Sequence, residues 1–186
     1  KVDRAGSIVG MESLIRWRAS TSGLLVPPGE FIPLAEKNGM IVNIGNLILK
    51  RSCNDTRMLQ QMGCSPRSVA VNLSPSQFQQ PDIVGVVKRI IGESELDPRC
   101  LELEITESGI MMNEKESINK LNELSEMGVS ISIDDFGTGY SSLSKLKLYP
   151  INTLKIDKSF VDDLPGDSLS ATIAVSIIDL AHNLGF

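Results

Sequence analysis

Histidine is almost missing from this sequence: His182 is the only one among 186 residues, so a His-based zinc site cannot be assembled. Cysteine is sparse as well. Cys53, Cys64 and Cys100 are odd in number, widely spaced and without a CxxC pair. That argues against a disulfide framework or a zinc knuckle, and fits reduced thiols in a cytoplasmic setting. There is no long Lys/Arg run and the formal net charge is −5, which leaves bulk binding to duplex DNA or RNA without electrostatic footing. A small anionic ligand held through metals is untouched by that argument. No apolar stretch approaches the roughly eighteen residues needed to span a bilayer, so no membrane contact is expected from this domain itself. The opening Lys1-Val2-Asp3-Arg4 does not look like a signal peptide. What remains, 41% hydrophobic and 22% charged, is an ordinary globular composition with enough apolar residues for one substantial core.

Strand-like and helix-like patterns alternate along the chain. After a first strand ending at Glu12 comes a polar loop over 18–23, and Pro27-Pro28-Gly29 opens a short helix through Glu36 that Gly39 closes. Apolar residues at helical spacing (Ile41, Ile44, Leu47, Ile48, Met58, Leu59, Met62) predict a helix over 41–62. Further strands are predicted at 68–73, 101–106, 130–134 and 152–156, with helices near 82–95, 114–127, 142–148 and 169–184. This rhythm predicts an α/β protein with a parallel sheet and right-handed crossovers. Doubly wound sheets and barrels both fit it. Ligand-type residues at the ends of successive strands favour a TIM-like (β/α)8 barrel, because an open sheet focuses its site on one switch point. Five complete strand candidates and a remnant at Lys1-Val2-Asp3 fall short of a full barrel. The expectation is a barrel variant cut at both ends, with the first strand partial and the last two absent.

Four of the β-type segments end by presenting a hard oxygen ligand: Glu12 after Ile8-Val9-Gly10-Met11, Asn72 after Val69-Ala70-Val71, Glu104 after Leu101-Glu102-Leu103, and Asp134-Asp135 after Ile131-Ser132-Ile133. A fifth, Thr153–Asp157, carries Lys155 and Asp157. In a parallel barrel these ends share one face. Two carboxylates about 4 Å apart repel by roughly 4 kcal/mol at an effective dielectric near 20, so such a cluster calls for divalent cations. Bland readings compete at each position. Asn72, before Leu73-Ser74-Pro75, also fits a helix cap. Glu12 could be a solvated strand-end acid, and Glu102 and Glu104 the wet face of a half-exposed sheet. Lys155 could snorkel to the surface or point into the acid-rich mouth. Gly137 and Gly139 suit an ordinary turn, but a turn does not explain Asp134 at the end of an apolar strand. Oxygen ligands without His or Cys suit Mg²⁺ or Mn²⁺, and two such ions side by side are the usual device for phosphodiester cleavage. The residues alone reach metal-dependent phosphoryl hydrolysis without naming a substrate.

An ordered set of motifs goes further. It comprises Met11-Glu12-Ser13-Leu14-Ile15-Arg16-Trp17, Gly29-Glu30-Phe31-Ile32-Pro33-Leu34-Ala35-Glu36, Val71-Asn72-Leu73-Ser74, Leu103-Glu104-Ile105-Thr106-Glu107-Ser108, Asp134-Asp135-Phe136-Gly137-Thr138-Gly139-Tyr140-Ser141-Ser142-Leu143, Leu154-Lys155-Ile156-Asp157-Lys158-Ser159-Phe160 and Leu180-Ala181-His182-Asn183-Leu184-Gly185. Together they resemble the EAL domain family of bacterial cyclic di-GMP phosphodiesterases over nearly the whole of residues 1–186, read as one incomplete domain. The resemblance implies a (β/α)8 barrel variant that hydrolyses cyclic di-GMP to linear pGpG with two Mg²⁺ or Mn²⁺ ions. It implies Glu12, Asn72, Glu104 and Asp134 around the first metal, and Asp134 and Asp135 at the second. Glu12, Asp135 and Lys155 would be catalytic, Lys155 by positioning the attacking water. Leu14, Arg16 and Asp157 would meet the substrate. Glu107 would steady the loop that holds Gly137, Thr138 and Gly139, which in this family commonly lies at a homodimer interface. A non-catalytic cyclic di-GMP receptor is the alternative. Where the family signature usually has alanine, this chain has Ser13. The family's Glu-Gly-Val-Glu segment and a later glutamine-bearing motif do not occur in it.

Overall fold

The computed structural model describes residues 1–2, 6, 8–64, 66–137, 143–162 and 164–186, the side chains at 143 and 144 excepted. In chain order the elements are β1 (Gly10–Ser13), β2 (Trp17–Arg18), β3 (Leu25–Val26), α1 (Pro28–Lys37), α2 (Met40–Gln61), β4 (Ser68–Leu73), α3 (Pro75–Phe78), α4 (Ile83–Ser94), β5 (Leu101–Thr106), α5 (Glu107–Met111), α6 (Glu114–Glu126), β6 (Ser130–Phe136), α7 (Leu143–Leu146), β7 (Thr153–Ile156) and α8 (Ser168–Leu184). β1, β4, β5, β6 and β7 form one parallel sheet in that order. Each crossover moves one place in the same direction and the order never reverses. That is the single winding of a TIM-like barrel, not the switch point of a doubly wound sheet.

The register divides the sheet's residues into two faces, since side chains alternate along each strand. Asn72 pairs with Glu104, Glu104 with Ser132, and Ser132 with Thr153, so one face carries polar groups. Val71, Leu103, Ile131 and Ile133 lie on the other face and are all but fully buried. They pack in one core with Leu49 and Cys53 of α2, Val87 and Ile90 of α4, and Leu121 and Leu124 of α6. Each such side chain contributes roughly 1.5–3 kcal/mol relative to exposure.

Helix and strand bounds follow the periodicity to within a residue or two for the long elements. Differences fall where elements are short. The segment after Glu12 is not all loop: Trp17–Arg18 pairs antiparallel with Leu25–Val26 around a turn closed by the Gly23 N–H to the Ala19 carbonyl at 2.8 Å. Two pairs are too few to display alternation. α3 and α5, of four and five residues, are likewise too short to show a period. Both are capped by a hydroxyl: Ser74, not Asn72, accepts from the Gln77 N–H, and Thr106 accepts from the Gly109 N–H. The remnant expected at Lys1–Asp3 is a single antiparallel bridge of Val2 with Ile8; Asp3 lies outside the described residues. Strand β6 runs two residues beyond Asp134, and β7 begins at Thr153. No helix among the described residues is long and apolar enough to cross a membrane.

Two glycines in helices give opposite expectations. A methyl group on Gly45 would come within 2.1 Å of the Gln77 Oε1, a buried amide that donates to Asn46 at 2.9 Å. A methyl on Gly92 meets nothing within 4 Å. Gly45→Ala should therefore lower stability by about 1–3 kcal/mol through forced repacking. Gly92→Ala should raise it by about 0.5–1 kcal/mol, the ordinary helix preference. Urea denaturation of both variants checks the pair, and equal effects of one sign would contradict the packing described.

Candidate active site

The polar face of the sheet gathers most of the residues singled out from sequence. Glu12 and Asn72 meet directly, the amide Nδ2 donating to Glu12 Oε1 at 3.1 Å, which leaves the amide oxygen as the ligand-type atom. Glu104 is 1% exposed, and one of its oxygens accepts from the Lys155 ammonium at 2.7 Å. The same ammonium stands 3.1 Å from Asp134 Oδ1. Lys155 thus points inward, and the snorkelling reading is set aside. Glu12 faces the same region, since its charge acts on Glu104. The acids group as a Glu12–Asn72 pair and a Glu104–Lys155–Asp134 triad; among the described residues no three acidic side chains close on one point.

Consecutive residues of a regular strand point to opposite faces, so Asp134 and Asp135 should not share a site. The register resolves this. Ile133 pairs with Leu154 and Phe136 with Ile156, so two residues of β6 oppose the single Lys155 of β7. The irregularity is a β-bulge, which re-aims a side chain. Asp135 accommodates it at φ 53°, in the left-handed region that Asp tolerates better than most residues. Its carboxyl then interacts with Asp157, while Phe136 returns to the helix-facing side, 3% exposed. Asp157 also accepts the Ser159 N–H at 2.8 Å and caps the short turn Lys158–Phe160.

The electrostatics carry the signature of crowded acids. Burial raises the Glu104 pKa above the usual range, Lys155 opposes the rise, and the charges of Glu12 and Asp134 add to it. Asp135 is raised by partial burial and by the charges of Asp134 and Asp157. Asp157 is lowered by its Ser159 hydrogen bonds, so a proton shared between these two acids resides on Asp135. Burial pulls the Lys155 pKa down, but its contacts with Glu104 and Asp134 more than offset this, and the ammonium stays charged.

Whether a cation suits the site can be judged from its own atoms. Glu104 Oε1 and the Ser132 hydroxyl are buried on this face without a hydrogen-bond partner among the described residues. A buried carboxylate oxygen left unpaired is costly, and a hard cation is the partner its chemistry prefers. All the donors present are oxygens, so the residues fit Mg²⁺ or Mn²⁺.

Beside the site, a cleft of about 290 Å³ is lined by Leu14, Arg16, Asn72 and apolar residues of α1 and α2, including Ile32, Ile41 and Ile44. The contribution of the helices was missed from sequence, because their apolar positions look the same whether they line a cleft or fill a core. The Arg16 guanidinium donates to the Ile15 carbonyl at 2.8 Å, and the ion pairs among the described residues do not include it. Ser13 is half-buried on the opposite face from Glu12, its hydroxyl 2.6 Å from that of Ser52 on α2. Glu107 is buried in the first turn of α5 with Oε2 unpartnered among the described residues. A Cβ on Gly137 (φ 101°) would come within 2.9 Å of Phe160 and 3.3 Å of Ile177, so only glycine fits there. Thr138 and Gly139 lie outside the described residues.

A parallel barrel-type sheet with acids and one lysine at its strand ends defines the class of protein. Known proteins specify it further. A family model described as EAL domain matches residues 2–186, and the chain belongs to that family. It is 45% identical over 177 residues to signaling protein YkoW of Bacillus subtilis, covering 95% of this chain and 22% of that protein. It is 44% identical over 179 residues to the bifunctional diguanylate cyclase/cyclic di-GMP phosphodiesterase MucR of Pseudomonas aeruginosa, covering 96% of this chain and 26% of MucR. The chain thus spans about a quarter of the length of these curated relatives. The solved structure described as PaMucR phosphodiesterase in a c-di-GMP complex superposes with a TM-score of 0.92 at 44% identity, covering 97% of this chain and 73% of that one.

The Glu104–Lys155 contact generates a stability prediction for metal-free protein in EDTA. Lys155→Met leaves Glu104 and Asp134 without their cation and should cost on the order of 2 kcal/mol near neutral pH. A carboxyl whose folded pKa is raised binds a proton more tightly folded than unfolded, so its ionisation erodes stability as pH climbs through that range. The variant's deficit should therefore shrink as pH is lowered, since Glu104 takes up a proton more readily than an ordinary carboxyl. Thermal melts across pH 5–8 check this, and a pH-independent deficit would contradict it.

Proposed function

We propose that this chain hydrolyses cyclic di-GMP to linear pGpG, using Mg²⁺ or Mn²⁺. The observation that carries the reading is the inward row of Glu12, Asn72, Glu104 and Asp134 on consecutive parallel strands, beside a cleft into which Leu14 and Arg16 project. Membership of the EAL domain family and the relatives named for cyclic di-GMP supply the substrate.

Within this reading, the apolar wall of the cleft from Leu14, Ile32 and Ile44 takes the flat, weakly polar faces of a guanine base. Arg16 supplies a charge-assisted hydrogen bond to a phosphate oxygen. Glu12, Asn72, Glu104 and Asp134 would hold one divalent ion, and Asp134 with Asp135 a second. Bound there, the ions lower the pKa of water and neutralise charge on the phosphoryl oxygens during in-line displacement. Lys155, fixed between Glu104 and Asp134, stands where its ammonium can orient a water by donating to it. Asp135 would serve as a ligand of the second ion, the proton that this water loses would pass to solvent, and the departing ribose oxygen would take one up. Oxygen from water joins phosphorus, the bond to one ribose 3′-oxygen breaks, and the opened product carries a 5′-phosphate.

The test uses intact protein with Mg²⁺ or EDTA and chromatographic separation of the linear dinucleotide. Turnover should require the metal. Glu12→Gln and Asp135→Asn should each lower kcat at least about 100-fold, or roughly 2.7 kcal/mol of barrier. Arg16→Ala should act on KM instead, raising it about tenfold for one lost phosphate contact. Unchanged turnover in Glu12→Gln would reject the assignment. Tight calorimetric binding of cyclic di-GMP without turnover by the unmodified protein would make the chain a receptor instead.

A further inference from the structure

Strand β7 brings the Lys155 ammonium to the polar face between Glu104 and Asp134, yet it is poorly held by its own ladder. It has four residues and pairs with β6 at Ser132–Thr153, Ile133–Leu154 and Phe136–Ile156, with the bulge interrupting the run. The pattern Leu154-Lys155-Ile156 resists a slip of one residue, since that would turn Lys155 toward the helices and expose Leu154. It does not resist a slip of two. With a period of two, a two-residue shift keeps every face correct and carries Lys155 nearly 7 Å along the sheet. Some other group must select between these registers.

Asn152 is placed to do so. Its N–H donates to the Ile131 carbonyl at 2.8 Å, and its side-chain Oδ1 accepts from the Ile131 N–H at 2.8 Å. Both backbone groups of a single β6 residue are thus engaged by one residue of the incoming chain. The side-chain oxygen takes the place of a strand carbonyl that the turn at 149–151, closed by the Ile151 N–H to the Tyr149 carbonyl at 2.9 Å, carries away. On the far side of Pro150, the Tyr149 hydroxyl donates to Glu114 Oε1 at 3.1 Å and Lys145 reaches Glu114 Oε2 at 2.5 Å, so the chain arrives at this point already fixed against α6. Ile131 is fully buried, so leaving its N–H without an acceptor would be costly.

We propose that Asn152 is a positioning residue for the reaction: its two-point clasp on Ile131 sets the register of β7 and thereby seats the Lys155 ammonium between Glu104 and Asp134. The catalytic half of this statement rests on the phosphodiesterase reading above; the register half does not.

The test compares Asn152→Leu with Asn152→Asp in the intact protein. Leucine keeps the N–H and removes the oxygen, whereas aspartate keeps an acceptor at the same reach. Asn152→Leu should lower kcat at least tenfold with KM within twofold, and Asn152→Asp should restore kcat to within threefold of the unmodified protein. Amide hydrogen exchange, read without substrate or metal, should show residues 153–156 exchanging at least tenfold faster in Asn152→Leu, with β4 and β5 unchanged. Normal β7 protection in Asn152→Leu overturns the register claim. A fall in activity that merely tracks the folded fraction, or one that Asn152→Asp does not rescue, overturns the positioning role. If the unmodified protein fails to hydrolyse cyclic di-GMP, the functional reading falls while the exchange measurement still decides the register.

Discussion

The alternation of side chains along parallel strands in common register is the constraint from which the rest follows. Once Asn72, Glu104 and Ser132 fall in one row, every second residue of β4, β5 and β6 is committed to the polar face and the others to the helices. The helix side can then be wholly apolar, as Val71, Leu103 and Ile133 show. The polar side is held at a disadvantage. A buried carboxylate such as Glu104 is destabilising even when paired, and apolar residues of similar volume would commonly serve stability better. Ionisable groups kept in such a place, with perturbed acidity, are characteristic of sites built for chemistry.

Lys155 is what makes that face tolerable without a bound ion. One ammonium serves both Glu104 and Asp134, and its half-buried position strengthens each contact relative to water. The compensation is partial. Glu104 keeps an oxygen without a partner among the described residues, and its pKa is raised. A fully neutralised cluster would be more stable and chemically inert. On the phosphodiesterase reading, oxygens left unpaired by Lys155 among the described residues are what would let a cation enter on favourable terms.

Much of this was legible in the residues themselves. The long elements show clean periods, so the strands at 68–73 and 101–106 and the helices α2, α4 and α6 stand where pattern puts them. Strand-end acids and Lys155 could be recognised because a polar residue that ends an apolar strand breaks the local rule. Three things were not legible. Asp134 and Asp135 invited the reading of two adjacent ligands, but nothing in the letters shows the bulge and the left-handed turn at Asp135 that make it geometrically possible. Asp157 was read only as a substrate contact, and its approach to Asp135 depends on the same bulge, while its hydrogen bond with Ser159 is a local cap. Ser74 rather than Asn72 caps α3, a choice decided by where the strand ends and not by the residue types, which suit both roles.

The strands also differ in how firmly they can hold their cargo, and this orders the parts of the site. Asn72, Glu104 and Asp134 belong to β4, β5 and β6, each of six or seven residues with strand neighbours on both sides. Glu12 and Lys155 belong to β1 and β7, four residues each at the margins of the described sheet. Backbone ladders suffice to place the first group, whereas the second needs side-chain ties. Asn72 holds Glu12 directly, Ser13 joins β1 to α2 through Ser52, and Asn152 fastens the entry to β7. In this light Ser13, standing where the family signature usually has alanine, is more than a size-neutral exchange. Position 13 faces α2 because position 12 faces the site, and a hydroxyl there adds a tie across a contact that alanine would make by packing alone. Precision at the mouth is therefore supplied in part from behind the sheet, where Ser13 and Asn152 stand away from the polar face.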